Sequence, residues 1–401
     1  MEYIKGSPYF CAAKDQIKQY PYLKNNLNCE ILIIGGGIDG AIANYYLSQS
    51  FNVALVDKAR FGYGCTSCAT ALLEYQLDEF ANDIKETMPE EDIIAAYKMG
   101  LSSIDKIDKF ILEHGNHCQF SRRPTFLYTN SASGVKDIET EYNFRKQHGL
   151  TCTLYTENNN PFTFPIKAGI FCEDGGAEFN PYLFAKQMIE NSKNQQQIFE
   201  NTHIQQLIKL PKGYKAITNF GEEITCKKVL IATGFNWELL NKDDLCERFI
   251  SYSIVTEPIK NFTWHKKALI HDVVKPYHYL RLLPDNRIIF GGEDTKYKGK
   301  PINANKAAKK YEKLEKDLFE LFPNIKGTKI DHKFCGAFGT TNNNMGLIGT
   351  STINNDILLF ISCGANGIIN AMSGIDIIIN ILNGKSHPLS HIFDPKNTQK
   401  K

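Results

Sequence analysis

The run from Glu30 to Ala59, EILIIGGGIDGAIANYYLSQSFNVALVDKA, constrains the fold more than any other part of the chain. An apolar stretch, Ile31 to Ile34, leads into a glycine turn and a segment with helical spacing. A second apolar stretch, Asn52 to Val56, ends on Asp57. This order is the layout of a dinucleotide-binding βαβ unit. Gly35 permits the tight turn, Gly37 lets a pyrophosphate approach the bare backbone, and Gly40 lets the helix pack against the strand. The helix N-terminus offers free N–H groups and the positive end of its dipole. Asp57 stands about 20 residues beyond the turn, where a carboxylate accepts the hydroxyls of an adenosine ribose. A carboxylate there disfavours a 2′-phosphate, so NADP fits least; FAD and NAD both stay open.

At 401 residues the chain exceeds one typical core and predicts two domains. Its 46 Lys and Arg against 44 Asp and Glu leave a net charge of +2, which supplies no basic field for nucleic acid or membrane. The 11 cysteines are odd in number and sit mostly in apolar runs, as reduced, buried thiols of a cytoplasmic protein do. No apolar stretch is long enough to span a bilayer, and the first residues carry no secretory h-region.

From Pro89 to His114, Ile93, Tyr97, Leu101, Ile104, Ile107 and Ile111 recur at helical spacing, and Gly115 ends the pattern. Residues 125–128 read as a strand and 135–148 as a helix closed by Gly149. Asn180 and Pro181 mark the N-cap and first position of another helix. Strands are predicted over 198–210, 214–220, 223–232, 251–256, 277–283 and 287–290, the last stopped by Gly291-Gly292. Residues 305–322 predict a helix stopped by Pro323. The chain closes on a strand (356–362), a glycine turn and a helix (368–382). Nucleotide-type elements therefore open and close the chain, and its two ends are expected to meet. The expected nucleotide domain is discontinuous, over 28–90, 165–245 and 335–386. A substrate domain takes 91–164 and 246–334, and 1–27 is an extended lead-in.

Four further segments carry chemistry. GYGCTSCAT, residues 62–70, offers small hydroxyl groups suited to a ribityl chain and pyrophosphate. The strand ending Ala232-Thr233-Gly234 can lie against a nucleotide. Cys363-Gly364-Ala365-Asn366-Gly367-Ile368 opens the last helix, whose N–H groups can face negative charge on a reduced ring. His278-Tyr279-Leu280-Arg281 places an arginine in a strand. An inward guanidinium needs an anionic partner, and either a substrate carboxylate or a structural ion pair supplies one.

Taken in order, GGGIDG with Asp57, GCTSCAT, DGGAEFNPYLFAKQM, VLIATG, YLRLLPDNRIIFGGED and GANGI resemble the D-amino-acid-oxidase-like (DAO) family of FAD-dependent oxidoreductases. That family includes glycine, sarcosine and γ-glutamylputrescine oxidases. The resemblance implies an α/β fold: a Rossmann-like FAD-binding domain with an interleaved antiparallel-sheet α+β substrate domain. It implies oxidation of a C–N bond in a small, carboxylate-bearing amine or amino acid, by hydride transfer to flavin N5 with O2 as acceptor. By the same resemblance, Gly35, Gly37, Gly40, Asp57, Lys58, Thr66, Ser67, Thr70, Thr233, Gly234, Gly364, Asn366, Gly367 and Ile368 contact FAD. Arg281 holds the carboxylate, and Tyr279, His278 and Tyr252 shape the pocket. No metal is implied.

The chain departs from the family pattern in three places. Cys65 and Cys68 stand where relatives carry Ser, Thr or Ala. Phe334-Cys335-Gly336 replaces a W-x-G segment, and 340–344 lacks the usual acidic residue. Cys335 falls one residue from the cysteine that attaches FAD in some relatives, so non-covalent FAD is expected. Other readings are a 2-hydroxy-acid or glycerol-phosphate-type FAD dehydrogenase with a base such as His278, a flavin-binding protein with a decayed pocket, and a disulfide oxidoreductase using Cys65 and Cys68.

Overall fold

Ile31 to Ile34 and Val53 to Val56 are buried and pair in parallel, as an apolar βαβ unit dictates. The computed structural model describes residues 3–11, 18–240 and 245–397. Around that unit grows an eight-stranded sheet in the order Leu347–Thr350, Ile357–Ile361, Glu223–Ile231, Leu27–Ile34, Val53–Val56, Ile198–Phe199. The strands Tyr214–Thr218 and Ile204–Lys209 extend from Glu223–Ile231 as an antiparallel meander. The helices Ile38–Leu47, Glu90–His114, Pro181–Glu190 and Gly367–Leu382 share one apolar core over this sheet. The helix Pro181–Glu190 starts as predicted: Leu183 N–H donates to Asn180 Oδ1 at 3.0 Å, with Pro181 in the first turn.

The expected meeting of the two ends is observed. Ile357–Ile361 pairs in parallel with Glu223–Ile231, which pairs in parallel with Leu27–Ile34. Beyond the strand end, Ser362 N–H donates to Asp39 Oδ2 at 3.1 Å.

A second, ten-stranded sheet runs Ile4–Gly6, Ile330–Thr340, Glu247–Thr256, Ile288–Lys296, His278–Leu282, Leu269–Asp272, Ser121–Thr129, Ala168–Glu178, Leu72–Glu74, with Thr153–Thr156 branching from Ala168–Glu178. Its pairings are antiparallel except between Leu269–Asp272 and Ser121–Thr129. The helix Ala304–Leu321 covers one face with Tyr311, Leu314 and Leu318. Period-two alternation turns every second side chain of these strands to the opposite face.

The sheets redraw the expected boundaries. Ala168–Glu178, expected in the nucleotide domain, hydrogen-bonds into the larger sheet, as does all of Ile330–Thr340. Leu72–Glu74 joins it too. Conversely, Glu90–His114 packs its apolar stripe with Gly367–Leu382 on the nucleotide side. The strand expected to stop at Gly291-Gly292 runs on to Lys296. Of the lead-in, Ile4–Gly6 is an edge strand against Phe334–Gly336, and residues 12–17 lie outside those described. No helix among the described residues is long and apolar enough to cross a membrane.

Candidate active site

Both sheets open onto one cavity of about 550 Å³. Its nucleotide end is built by glycines that no other residue replaces. Gly35 has φ +109°, and a Cβ there would fall 2.3 Å from Ala232 O. A Cβ on Gly40 would fall 1.7 Å from Gly35 O, so the helix sits on the turn as closely as the motif requires. Gly40 thus supports the cradle from behind and does not line the cavity. Gly37 does line it, and a Cβ there would project towards Thr66 Oγ1 at 3.1 Å. Thr66 Oγ1 accepts from Ile38 N–H at 2.9 Å, capping one donor of the first turn.

Asp57 is held by its own loop. Gly36 N–H donates to its Oδ2 and Ala59 N–H to its Oδ1, both at 2.7 Å. Burial pushes the carboxyl above its ordinary range, and these two donors work against that. Lys58, Thr66, Thr70, Thr233 and Gly234 line the same space, with Trp237 Nε1–H fixing Gly234 O at 2.7 Å. Ser67 turns away: its hydroxyl donates to Gly64 O at 3.0 Å and it does not line the cavity.

Gly364, Asn366, Gly367 and Ile368 line the cavity from the opposite side. Gly364 N–H is committed to Gly339 O at 2.7 Å and Ala365 N–H to Asp78 Oδ2 at 2.8 Å. The donors left for a ligand are those of the first turn of Gly367–Leu382. Asn366 Nδ2–H bonds Gln76 O at 2.7 Å and locks this corner.

The larger sheet closes the far end. Ser253, Gly291, Tyr279 and His271 are cross-strand partners in one row, and the three with side chains line the cavity. Tyr279 Oη lies 2.8 Å from Ser251 Oγ and 3.4 Å from Ser253 Oγ. Its phenol is pushed up to about 12 by burial and by Asp294. His271 Nδ1 is 3.0 Å from Glu74 Oε2. Burial alone would lower the imidazole, but the Glu74 carboxylate outweighs it and holds His271 above its usual range. Tyr277 Oη donates to Asp294 Oδ2, and both residues line this end.

Three expected pocket residues are elsewhere. Arg281 shares the face of Tyr279 but stands two residues, roughly 7 Å, farther along the strand. There it is 1% exposed. Its Nη1 donates to Glu178 Oε2 at 3.0 Å and its Nη2 to Phe179 O at 2.8 Å; Glu178 also binds Arg123 at 2.7 Å. The anionic partner is therefore a structural carboxylate, and Arg281 does not line the cavity. His278 and Tyr252 fall on the wrong side of the alternation. His278 stacks on Phe290 and reaches Asp272 at 2.9 Å and Asp317 at 3.2 Å. Tyr252 packs edge-on to Tyr311, 3.1 Å from Thr295 Oγ1. Their sequence neighbours Tyr279, Ser251 and Ser253 take the cavity face.

His271, Tyr277, Ser251, Ser253 and Asp294 were missed by the sequence reading. The signal that finds them is the phase of each strand, which only the paired sheet supplies. Cys65 and Cys68 both line the cavity as free thiols, and burial raises both, Cys65 to about 12. A thiol exchanges as thiolate, so burial works against disulfide chemistry here. Cys335 is fully buried in the core beneath the larger sheet and does not line the cavity.

A glycine turn, a carboxylate at the end of the second strand, a second helix N-terminus and a sheet roof on one cavity are the layout of a dinucleotide-dependent redox enzyme. The family model "DAO: FAD dependent oxidoreductase" matches residues 30–375, and the chain belongs to that family. Its cofactor is FAD, which the glycine cradle and Asp57 fit. The chain is 20% identical over 364 residues to γ-glutamylputrescine oxidoreductase of Escherichia coli (strain K12), covering 86% of this chain and 81% of that protein. It is 25% identical over 175 residues to a Bacillus subtilis (strain 168) protein named for a Rieske 2Fe-2S iron–sulfur group, and that match spans only 34% of the longer protein. The fold superposes on glycine oxidase of Geobacillus kaustophilus with a TM-score of 0.78 at 14% identity, covering 94% of this chain and 100% of that one.

Proposed function

We propose that the chain oxidises the C–N bond of a small amine or amino acid, with non-covalently held FAD and with O2 as the terminal acceptor. The observation that carries this reading is the polar row Ser253–Tyr279–His271, which faces the same cavity as Thr70 and the turn before Gly367–Leu382. When bound, FAD supplies the hydride acceptor. The chain's own residues do the rest. Asp57 and the glycine turn hold the adenosine end. The first turn of Gly367–Leu382 offers N–H groups and a positive dipole end to developing negative charge. The roof excludes water and orients the substrate's C–H bond.

Oxidation of a 2-hydroxy acid needs a base for the hydroxyl proton. His278 is turned away from the cavity. His271 faces it, but Glu74 keeps its imidazole protonated to higher pH and so leaves less of it as free base near neutrality. The amine reading is favoured for that reason. The test is anaerobic mixing of the yellow holoprotein with separate panels of amines, amino acids and 2-hydroxy acids. Bleaching of the flavin absorption by a nitrogen compound is expected, with hydrogen peroxide formed on admitting air. Bleaching by hydroxy acids alone, or by nothing in the panel, counts against the proposal.

A further inference from the structure

The roof end of the cavity holds one carboxylate with an uncommitted oxygen. Tyr277 donates to Asp294 Oδ2, while Asp294 Oδ1 is buried without a hydrogen bond of full geometry, the Ser251 hydroxyl standing beside the carboxyl. Aromatic rings wall the same end. The His271 ring centroid lies 6.2 Å from that of Tyr277 and 5.7 Å from that of Tyr279.

The basic groups are all accounted for. Among the described residues that line the cavity, the basic ones are Lys58 and Arg60, beside Asp57 at the nucleotide end, and His271. His271 is paired with Glu74, and Arg281 is spent on Glu178 outside the cavity. His271 and Lys310 act on Asp294 through space but are paired with Glu74 and Glu293, so the roof carboxylate keeps a negative charge to offer. A carboxylate brought there meets like charge and finds no guanidinium. An alkylammonium group finds a carboxylate acceptor and two phenol-bearing side chains on the same wall.

We infer that this chamber takes its substrate as an alkylammonium ion, with Asp294 as the cation acceptor and Tyr277, Tyr279 and His271 as its walls, and that it has no anchor for a substrate carboxylate. The inference rests on the amine-oxidation reading and narrows it to amines recognised by their positive charge. Transfer of one N–H proton from the bound ammonium to the Asp294 carboxylate leaves the neutral amine that hydride loss requires, and leaves Asp294 as the neutral acid. Burial, which holds this carboxyl above its ordinary range, suits that role.

Titration calorimetry of the FAD-loaded protein with butylammonium chloride and with sodium butyrate tests it. Butylammonium is expected to bind at least about tenfold more tightly than butyrate, and Asp294→Asn to lose about tenfold or more of that affinity at unchanged flavin content. Tyr277→Phe, which frees Asp294 Oδ2 without removing the charge, keeps the test open if the Asn variant does not fold; it is expected to retain the preference for the cation. Butyrate binding as well as butylammonium, neither ion binding, or an Asn variant with undiminished affinity would each overturn the inference. Ammonium binding without oxidation of any amine would instead sink the amine-oxidation reading and leave the cation site standing.

Discussion

Tyr279 lays its phenol ring where a side chain of Gly291, its partner on the adjacent strand, would stand: a Cβ there would fall 2.4 Å from the ring. That vacancy lets the hydroxyl reach Ser251 and Ser253 on the strand beyond. Gly291→Ala is therefore expected to displace the ring into the cavity. Overpacking of this kind costs about 1–3 kcal/mol. The check is a thermal melt beside steady-state kinetics: a lowered melting temperature with turnover reduced about tenfold or more, at normal flavin content. Unchanged turnover would remove Tyr279 from the working surface of the pocket.

Arg281→Met separates the two roles an inward arginine can have. Removing one partner of a buried pair costs about 3–5 kcal/mol. Because Glu178 keeps Arg123 as a second partner, the lower end is expected. The variant loses stability in denaturant unfolding, yet its folded fraction shows the parent KM for every substrate. A steep rise in KM for acidic substrates alone, without loss of stability, would restore the carboxylate-anchor role.

Asp39 gives a dependence on pH. Burial raises its carboxyl from 3.8 to about 6, despite the hydrogen bonds from Ser362. The folded protein thus keeps this proton to higher pH than the unfolded chain does. The contribution to stability is complete below the unfolded value and is lost as pH rises through about 6. Above that pH the cradle carries a buried negative charge where the cofactor brings phosphates. Asp39→Asn is expected to raise stability by ~1–3 kcal/mol near neutrality and by little near pH 4. It should also tighten FAD binding above pH 6, not below. Melting curves and flavin titrations across that range decide it; a stability difference that does not change with pH excludes the assignment.

Cys65→Ser with Cys68→Ala tests the thiol chemistry directly. Both thiols are half-buried on the cavity wall, and desolvation there holds them protonated. The double variant is expected to keep amine-dependent flavin reduction within about threefold of the parent, since no thiolate takes part. Loss of that reduction with normal flavin content would return the pair to the mechanism.

The nucleotide half was legible because its information is local. Gly35, Gly37, Gly40 and Asp57 act through consecutive backbone and a fixed spacing, and a linear reading captures both. The substrate half was not, because its information is in the phase of the strands. Tyr252 lies between Ser251 and Ser253, and His278 beside Tyr279; the alternation puts Ser251, Ser253 and Tyr279 in the cavity, Tyr252 in the core and His278 against Phe290 on the far face. Arg281 has the correct phase but stands too far along its strand, and Glu178, its partner, is 103 residues away in sequence. His271 lies on the four-residue strand Leu269–Asp272, too short to show a period.

The polypeptide passes back and forth between the two sheets: Ile4–Gly6 in one, Leu27–Val56 in the other, then Leu72–Glu178, Ile198–Ile231, Glu247–Thr340 and Leu347–Ile361 in turn. No single cut separates the chain into two pieces that each own one sheet. Heating is accordingly expected to release the flavin and dissolve the substrate roof in one cooperative event, and a protease that nicks a crossing between Val56 and Glu247 should leave no fragment that stays yellow by itself.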